Sequence, residues 1–376
     1  MFRARILMVL ALVLLLAVPM GTVFAQQAPA FEGTAVVSDG NSKGDSITVK
    51  LANATAPAAG REYVAWLSDD AQTERVRLGV IDVNAAREGA LTFGPGSTGY
   101  NNTAPVNLAK YNRMFITSEA AGSKVATPAG AIVYLDVIPI AAAEHIRHLL
   151  IAWPAGSSKG ILTNLREQLA LAKQHAVLSS QATTMANMQT HAKHVVNIIE
   201  GTTGPNFAAS FGNPGDGQGV LLHASDRKHA GFAATAAPSE TVLAQHAALV
   251  STAGKNAADY ATLARNEALR AINAKSLDIA GFSLAYVIGV LDNAINGIDS
   301  NADGTITAQE GGAVTAYIEA QLMQTFTLQA GTQLPPPGNV GDPAIPVMAQ
   351  IALALSVLLL AGGAASMVAA RRKVRS

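Results

Sequence analysis

Hydrophobic and polar positions change their period once along this chain. Between residues 30 and 140 they come in short runs. In 46–51, Ile47, Val49 and Leu51 face one way, and Ser46, Thr48 and Lys50 the other. Similar runs at 34–38, 63–67, 75–81, 90–93, 114–117 and 131–137 alternate with turns such as Asp39-Gly40-Asn41 and Gly94-Pro95-Gly96. Seven short strands in about 110 residues predict an antiparallel β-sandwich. In the third run Tyr63 and Trp66 point to opposite faces, so one is expected in the core and the other at a surface or edge.

From residue 141 the period becomes helical. Leu162, Leu165, Leu169, Ala172 and Ala176 form one apolar stripe, and Met185, Met188, Ala192, Val195 and Ile199 another. Ser239 is a candidate N-cap for a long helix with the stripe Val242, His246, Leu249, Ala253, Ala257 and Tyr260. The alanine-rich stretch 141–275 therefore predicts an antiparallel bundle, interrupted by a glycine-rich loop at 201–219.

All 8 histidines of the chain lie in that stretch: His145, His148, His175, His191, His194, His223, His229 and His246. Two pairs, His145/His148 and His191/His194, share a helix face. The helical wheel places these rings away from the core. At about 100° per residue, His191 is roughly 70°, His194 roughly 130° and His175 about 90° from the centre of its own stripe. Solvated or capping histidines are the expectation, with a transition-metal or haem site as the competing one.

The sharpest motif is residues 299–310, Asp-Ser-Asn-Ala-Asp-Gly-Thr-Ile-Thr-Ala-Gln-Glu. It matches a twelve-residue EF-hand loop. Asp299, Asn301 and Asp303 supply short oxygen side chains, Gly304 allows the sharp turn, and Thr305 offers its carbonyl. Thr307 acts directly or through water, and Glu310 closes the shell. The expected ion is Ca2+, held in a helix-loop-helix unit spanning 276–326.

Composition changes the picture at the two ends. Arg3 and Arg5 precede 13 apolar residues at 6–18, and Val23-Phe24-Ala25 has the small residues of a cleavage site. Residues 1–25 thus read as a signal peptide. Residues 351–370 contain 20 uncharged positions ending at Arg371-Arg372-Lys373, which predicts a transmembrane helix at 346–370 and a cytoplasmic basic tail at 371–376. A Pro/Gly segment, 327–345, reads as an extended stalk. The expected architecture is α+β and multidomain: β-sandwich 30–140, bundle 141–275, EF-hand unit, stalk and membrane helix. The bulk of the chain is then expected outside a cell membrane, anchored once, with display at the cell surface as a further expectation.

Six of the 26 basic residues lie at these ends, leaving 20 against 26 acidic residues in the body, which argues against a nucleic-acid partner. With 0 cysteines there is no disulfide framework, thiolate metal site or thiol catalysis. Motifs of serine hydrolases, zincins, P-loop and dinucleotide enzymes are missing, so no enzymatic activity is expected.

Tyr63-x-x-Trp66, Gly79, Gly89-x-Leu91, Ile116-Thr117-Ser118-Glu119 and Pro128-x-Gly130 resemble the extracytoplasmic C-terminal domain of anti-sigma-K factors. The resemblance covers about a third of the chain. It implies a β fold outside the membrane and, in that family, a signalling role; the cytoplasmic sigma-binding module is replaced here by the signal peptide. The C-terminal end is similar to bacterial sorting signals, although in Leu334-Pro335-Pro336-Pro337-Gly338 proline stands where a sortase needs threonine. The leading expectation is a non-enzymatic, calcium-binding envelope protein for display, adhesion or sensing. The alternatives are a metal- or haem-binding envelope protein and an anti-sigma-type regulator.

Overall fold

Alternation along the first third of the chain becomes strands. A computed structural model describes residues 30–338. The signal peptide, the end of the stalk from 339, the membrane helix and the basic tail expected from the sequence lie outside the described residues. The strands are β1 (Glu32–Ser38), β2 (Ser46–Ala52), β3 (Arg61–Ser68), β4 (Arg75–Ile81), β5 (Gly89–Phe93), β6 (Arg113–Ala120), β7 (Ala131–Val137) and β8 (Phe326–Ala330). They form one antiparallel sheet in the order β4-β3-β6-β7-β8-β1-β2-β5. The two ends of that order approach each other. Val83 bridges Gly89 after β4, and a Cβ on Gly79 of β4 would stand 3.2 Å from the Leu91 side chain of β5. The sheet is therefore curled nearly into a barrel, which leaves few exposed edges.

Strand β8 falls where the sequence suggests the end of the EF-hand unit and the start of the stalk. Its five residues carry only two inward apolar side chains, Phe326 and Leu328, too few to read as a strand. Its position depends on partners distant in sequence. Ala35 pairs with Phe326, Tyr134 pairs with Ala330, and the Asp136 carboxylate accepts the Thr327 amide at 2.6 Å.

The face expectation for Tyr63 and Trp66 is corrected in one respect. They do point to opposite faces, yet both are buried, at 4% and 0% exposure. Tyr63 belongs to the main core, whereas Trp66 sits in a second cluster with Val64 and Phe115, against which Leu334 packs. The start of the proline-rich segment is thus fastened to the sheet. Buried Arg113 donates to the carbonyls of Pro335 at 2.6 Å and Pro336 at 3.1 Å, and pairs with Asp70 at 2.8 Å.

The 3.6-residue period becomes helices α1 (Ile140–Leu150), α2 (Ile161–Ser180), α3 (Met185–Glu200), α4 (Val220–Asp226), α5 (His229–Ala236), α6 (Thr241–Ile272), α7 (Leu277–Asn296) and α8 (Ala313–Leu322). Thr184 caps α3 and Ser276 caps α7 through their hydroxyls, while Gly201 and Gly297 end those helices with φ of 71° and 91°. The α2 stripe is buried throughout, and in α3 Met188, Ala192, Val195 and Ile199 are buried. In α6 the stripe slides by one residue at its start. Leu243, Ala247 and Val250 are the buried positions, not Val242, His246 and Leu249, and the helix begins after Glu240 rather than at Ser239. With alanines on several faces, neighbouring stripes 100° apart look alike in sequence.

One continuous apolar core joins the sheet interior (Ala35, Ile47, Leu67, Met114) to the helices (Ile146, Leu165, Val250, Leu291). Helix α7 is long and apolar enough to cross a membrane by length and composition. One side of it packs through Ala280, Leu284, Val287 and Leu291, while Ile279, Phe282 and Tyr286 are exposed.

Candidate metal centres

Each of two helix seams gathers three histidines. The first lies between α1 and α5, which approach closely over Ala142, Ala143, Ala230 and Ala233. His145 and His148, one turn apart on α1, meet His229, the first residue of α5. Nδ1 of His229 stands 2.9 Å from Nδ1 of His145 and 3.2 Å from that of His148. The rings are framed by aromatic neighbours. The Trp153 ring centroid is 4.5 Å from both His148 and His229, and Phe232 lies 5.4 Å from His145 and 5.5 Å from His229. Trp153 is itself held by Asp226, whose Oδ2 accepts its indole N–H at 3.0 Å.

The second centre lies on the α2–α3 hairpin. His175 and His191 are nearly equidistant from the short connection, so antiparallel pairing of the helices brings them face to face, with His194 one turn further on. Nδ1 of His175 stands 3.1 Å from Nδ1 of His191 and 3.3 Å from that of His194. Nε2 of His194 donates to the Phe211 carbonyl at 2.7 Å, which leaves its Nδ1 as the lone-pair nitrogen. That carbonyl is positioned by wholly buried Asn197. Its amide donates to the carbonyls of Ala208 (3.0 Å) and Gly212 (2.6 Å), and its Oδ1 accepts the Ala208 N–H (2.9 Å).

In both centres all donor nitrogens lie within 4.8 Å of one another. Among the described residues these are the only such groups of three or more His, Asp or Glu. Two edges of each triad, 2.9 and 3.2 Å in the first and 3.1 and 3.3 Å in the second, lie at or somewhat below the edge of about 3.3 Å expected of a tetrahedron around an ion with metal–nitrogen bonds of about 2.0–2.1 Å, and the third edge is no longer than 4.8 Å. Hydrogen bonding alone satisfies the cluster poorly. A neutral imidazole Nδ1 carries either one N–H or one lone pair, so the Nδ1 of His229 or of His175 cannot serve both neighbours in the ring plane. A single cation resolves both contacts. Two axial haem ligands, by contrast, stand on opposite faces of a macrocycle rather than side by side.

Electrostatics favours neutral rings. Burial, reinforced by the neighbouring histidines, lowers His175 and His229 to about 4. Burial also lowers His145, His148 and His191. Neutral imidazole is the form that ligates a metal. The centres differ in their surroundings. Glu144 opposes the shift at His145 and His148, and Asp226 opposes it at His229, where Lys228 acts the other way. At His175 and His191 the acting neighbours are the other histidines of the triad.

The helical wheel placed His175, His191 and His194 at the edges of their stripes, and they are indeed half-buried. The expectation of solvated or capping rings is nevertheless corrected. An edge that looks like solvent on one helix faces the edge of another once the helices pack. The usable sequence signal was the repeated grammar, a His-x-x-His pair and one further histidine on a neighbouring helix. The remaining two histidines pair with carboxylates, His223 with Asp216 at 2.5 Å and His246 with Glu319 at 2.6 Å.

The loop 299–310 joins α7 to α8. Asp299 accepts the amides of Asp303 (3.2 Å) and Gly304 (2.8 Å), and Gly304 takes φ of 88°. Asn301 Oδ1 accepts the Asp303 amide, and Asp303 accepts the Thr305 amide and hydroxyl. Glu310 folds back over the loop. One oxygen accepts from Ser300, and the other accepts the Thr307 amide at 3.1 Å and hydroxyl at 2.9 Å. These bonds lower its pKa to about 2. The six expected ligands therefore share one tight loop, but Asp299, Asp303 and Glu310 do not converge as the histidines do. Gly311 and Gly312 delay the exit helix; a Cβ on Gly312 would meet the Ala294 carbonyl at 2.5 Å. Comparisons with protein families, with curated proteins and with solved structures each find no match.

Proposed function

We propose that this protein is a transition-metal-binding protein of the cell envelope that holds one ion at each tri-histidine centre. The observation that carries this reading is the convergence of six Nδ1 atoms into two triads, each with contacts that neutral imidazoles cannot all satisfy by hydrogen bonding. Three imidazoles suit zinc or copper best. The setting outside the cytoplasm rests on the leader at 1–25 and the apolar segment at 346–370, with the tail 371–376 left inside. The resemblance of 30–140 to an extracytoplasmic domain agrees with that placement. Metal analysis of the purified full chain after zinc or copper loading and desalting tests the reading. About two ions per chain are expected, falling by one in His145→Ala and by one in His175→Ala. Retention of both ions by either variant, or of none by the unmodified chain, overturns it.

A second ion, calcium, is assigned to the 299–310 loop. The supporting observation is the turn in which Asp299 accepts the amides of Asp303 and Gly304, with Gly304 in the left-handed region. The site is structural, ordering the connection between α7 and α8. Calcium-dependent thermal stabilisation is expected in the unmodified chain and lost in Glu310→Gln; an equal calcium response in both excludes this loop.

A further inference from the structure

The two centres are built from the same donors, yet they offer their ions different surroundings. A tetrahedral ion held by three imidazoles keeps one open position. The ligand set is uncharged, so a divalent ion arrives with its two positive charges uncompensated by the donors. At the α1/α5 centre the rings are framed by Trp153 and Phe232, and exposed Glu144 lies near enough to act on His145 and His148 as a negative charge, while Asp226 is itself paired with Lys228 at 3.4 Å. At the α2/α3 centre neither device is present. Its three rings contact one another at centroid distances of 4.8 to 5.6 Å, and no other aromatic ring contacts them among the described residues. The hydrogen-bond partner of its rings outside the triad, among the described residues, is the Phe211 carbonyl, a dipole and not an anion. His191 and His194 are half-buried, as are His145 and His148 at the first centre.

Resting on the metal reading above, we infer that the ion at His175, His191 and His194 takes a small inorganic anion as its fourth ligand, whereas the ion at His145, His148 and His229 does not. The step is a ligand exchange. The anion's lone pair replaces that of a coordinated water, which leaves as water, and no electron is transferred. Charge is the physical reason. In a partly dry site an uncompensated divalent ion attracts an anion strongly, and nearby carboxylates weaken that attraction.

Cobalt(II) and azide make the distinction visible. The full chain is loaded with cobalt in two variants, His145→Ala, which retains the α2/α3 centre, and His175→Ala, which retains the α1/α5 centre. Azide is titrated while the visible d–d absorption is followed. In His145→Ala the band is expected to shift saturably, with azide held at least about tenfold more tightly than in His175→Ala, the factor corresponding to roughly 1.4 kcal/mol. His148→Ala repeats the first arm by an independent substitution, and the unmodified chain, with both centres filled, is expected to show half of its cobalt spectrum responding. If cobalt is bound at one per variant and the α2/α3 band ignores azide, or if both centres respond alike, the anion inference fails and the metal reading stands. If no cobalt is bound by the unmodified chain, both fail together.

Discussion

The two tri-histidine centres are the same chemical device made in different ways. The α2/α3 centre is local. His175 and His191 are 16 residues apart, and the hairpin that joins their helices is sufficient to bring them together. The α1/α5 centre is distant. His145 and His229 are 84 residues apart, and α2, α3, α4 and the glycine-rich loop lie between them in the chain. The local centre is bare and oriented by a backbone carbonyl. The distant one is walled by aromatic rings and flanked by carboxylates. Identical donors thus do not make equivalent sites: the packing around them sets the charges and rings that face them.

The largest expected effect concerns metal itself. Ion binding to the folded chain stabilises it by about 4 kcal/mol per site at a thousandfold excess over Kd. Thermal unfolding should therefore show a large zinc-dependent rise in the full chain, roughly half of it in His145→Ala or His175→Ala, and none from these centres in the double variant. If either single substitution abolished the whole rise, the centres would be one cooperative unit.

A smaller effect separates the centres. Asn197 touches no donor but fixes the 208–212 turn whose Phe211 carbonyl orients His194. Loss of such an orienting contact costs about 10–100-fold in metal affinity. Asn197→Ala should weaken zinc at the α2/α3 centre by that factor and leave the α1/α5 centre unchanged, as read by competitive chelation in the His145→Ala and His175→Ala backgrounds. Equal weakening of both would mean that Asn197 acts on the bundle as a whole.

Acid should not discriminate between them. His175 and His229 both have folded values of about 4 against the ordinary 6.5. The unfolded chain therefore binds more protons than the folded one within that interval, and the metal-free protein should lose stability as pH falls from about 6.5 to about 4. His175→Gln and His229→Gln should each flatten that slope in denaturant unfolding. A slope unchanged by either would remove both rings as its source.

The smallest signal is optical and belongs to one centre only. The chain has 2 tryptophans; Trp153 lies against His148 and His229, while Trp66 is buried in the outer cluster of the sheet. Copper(II) at the α1/α5 centre should quench the Trp153 emission, and this quenching should vanish in His229→Ala and persist in His175→Ala. Quenching that follows the second centre instead would reverse the assignment.

Much of the fold was legible because its signals are local. The first seven strands fall where alternation and turns place them, the α2 stripe is buried as its spacing implies, and residues 299–310 fold as a tight Asp/Gly loop. Less was legible in the long helix. Its alanines offer several equivalent faces, and Leu243 rather than Val242 entered the core. The histidines were legible as pairs on a helix face but not as triads. A wheel drawn for one helix measures distance from that helix's own core and is blind to the neighbour at its edge.

From sequence alone follow the period of each segment, the lack of thiolate donors in a chain without cysteine, and the spacing of the calcium-type loop. These depend on residues a few positions apart. Tertiary structure alone decided that Phe326–Ala330 completes the sheet, that Leu334 covers Trp66, and that six imidazole rings meet in two groups of three. Each of these is a contact across dozens or hundreds of residues, and which edges become neighbours is settled only when the whole core closes.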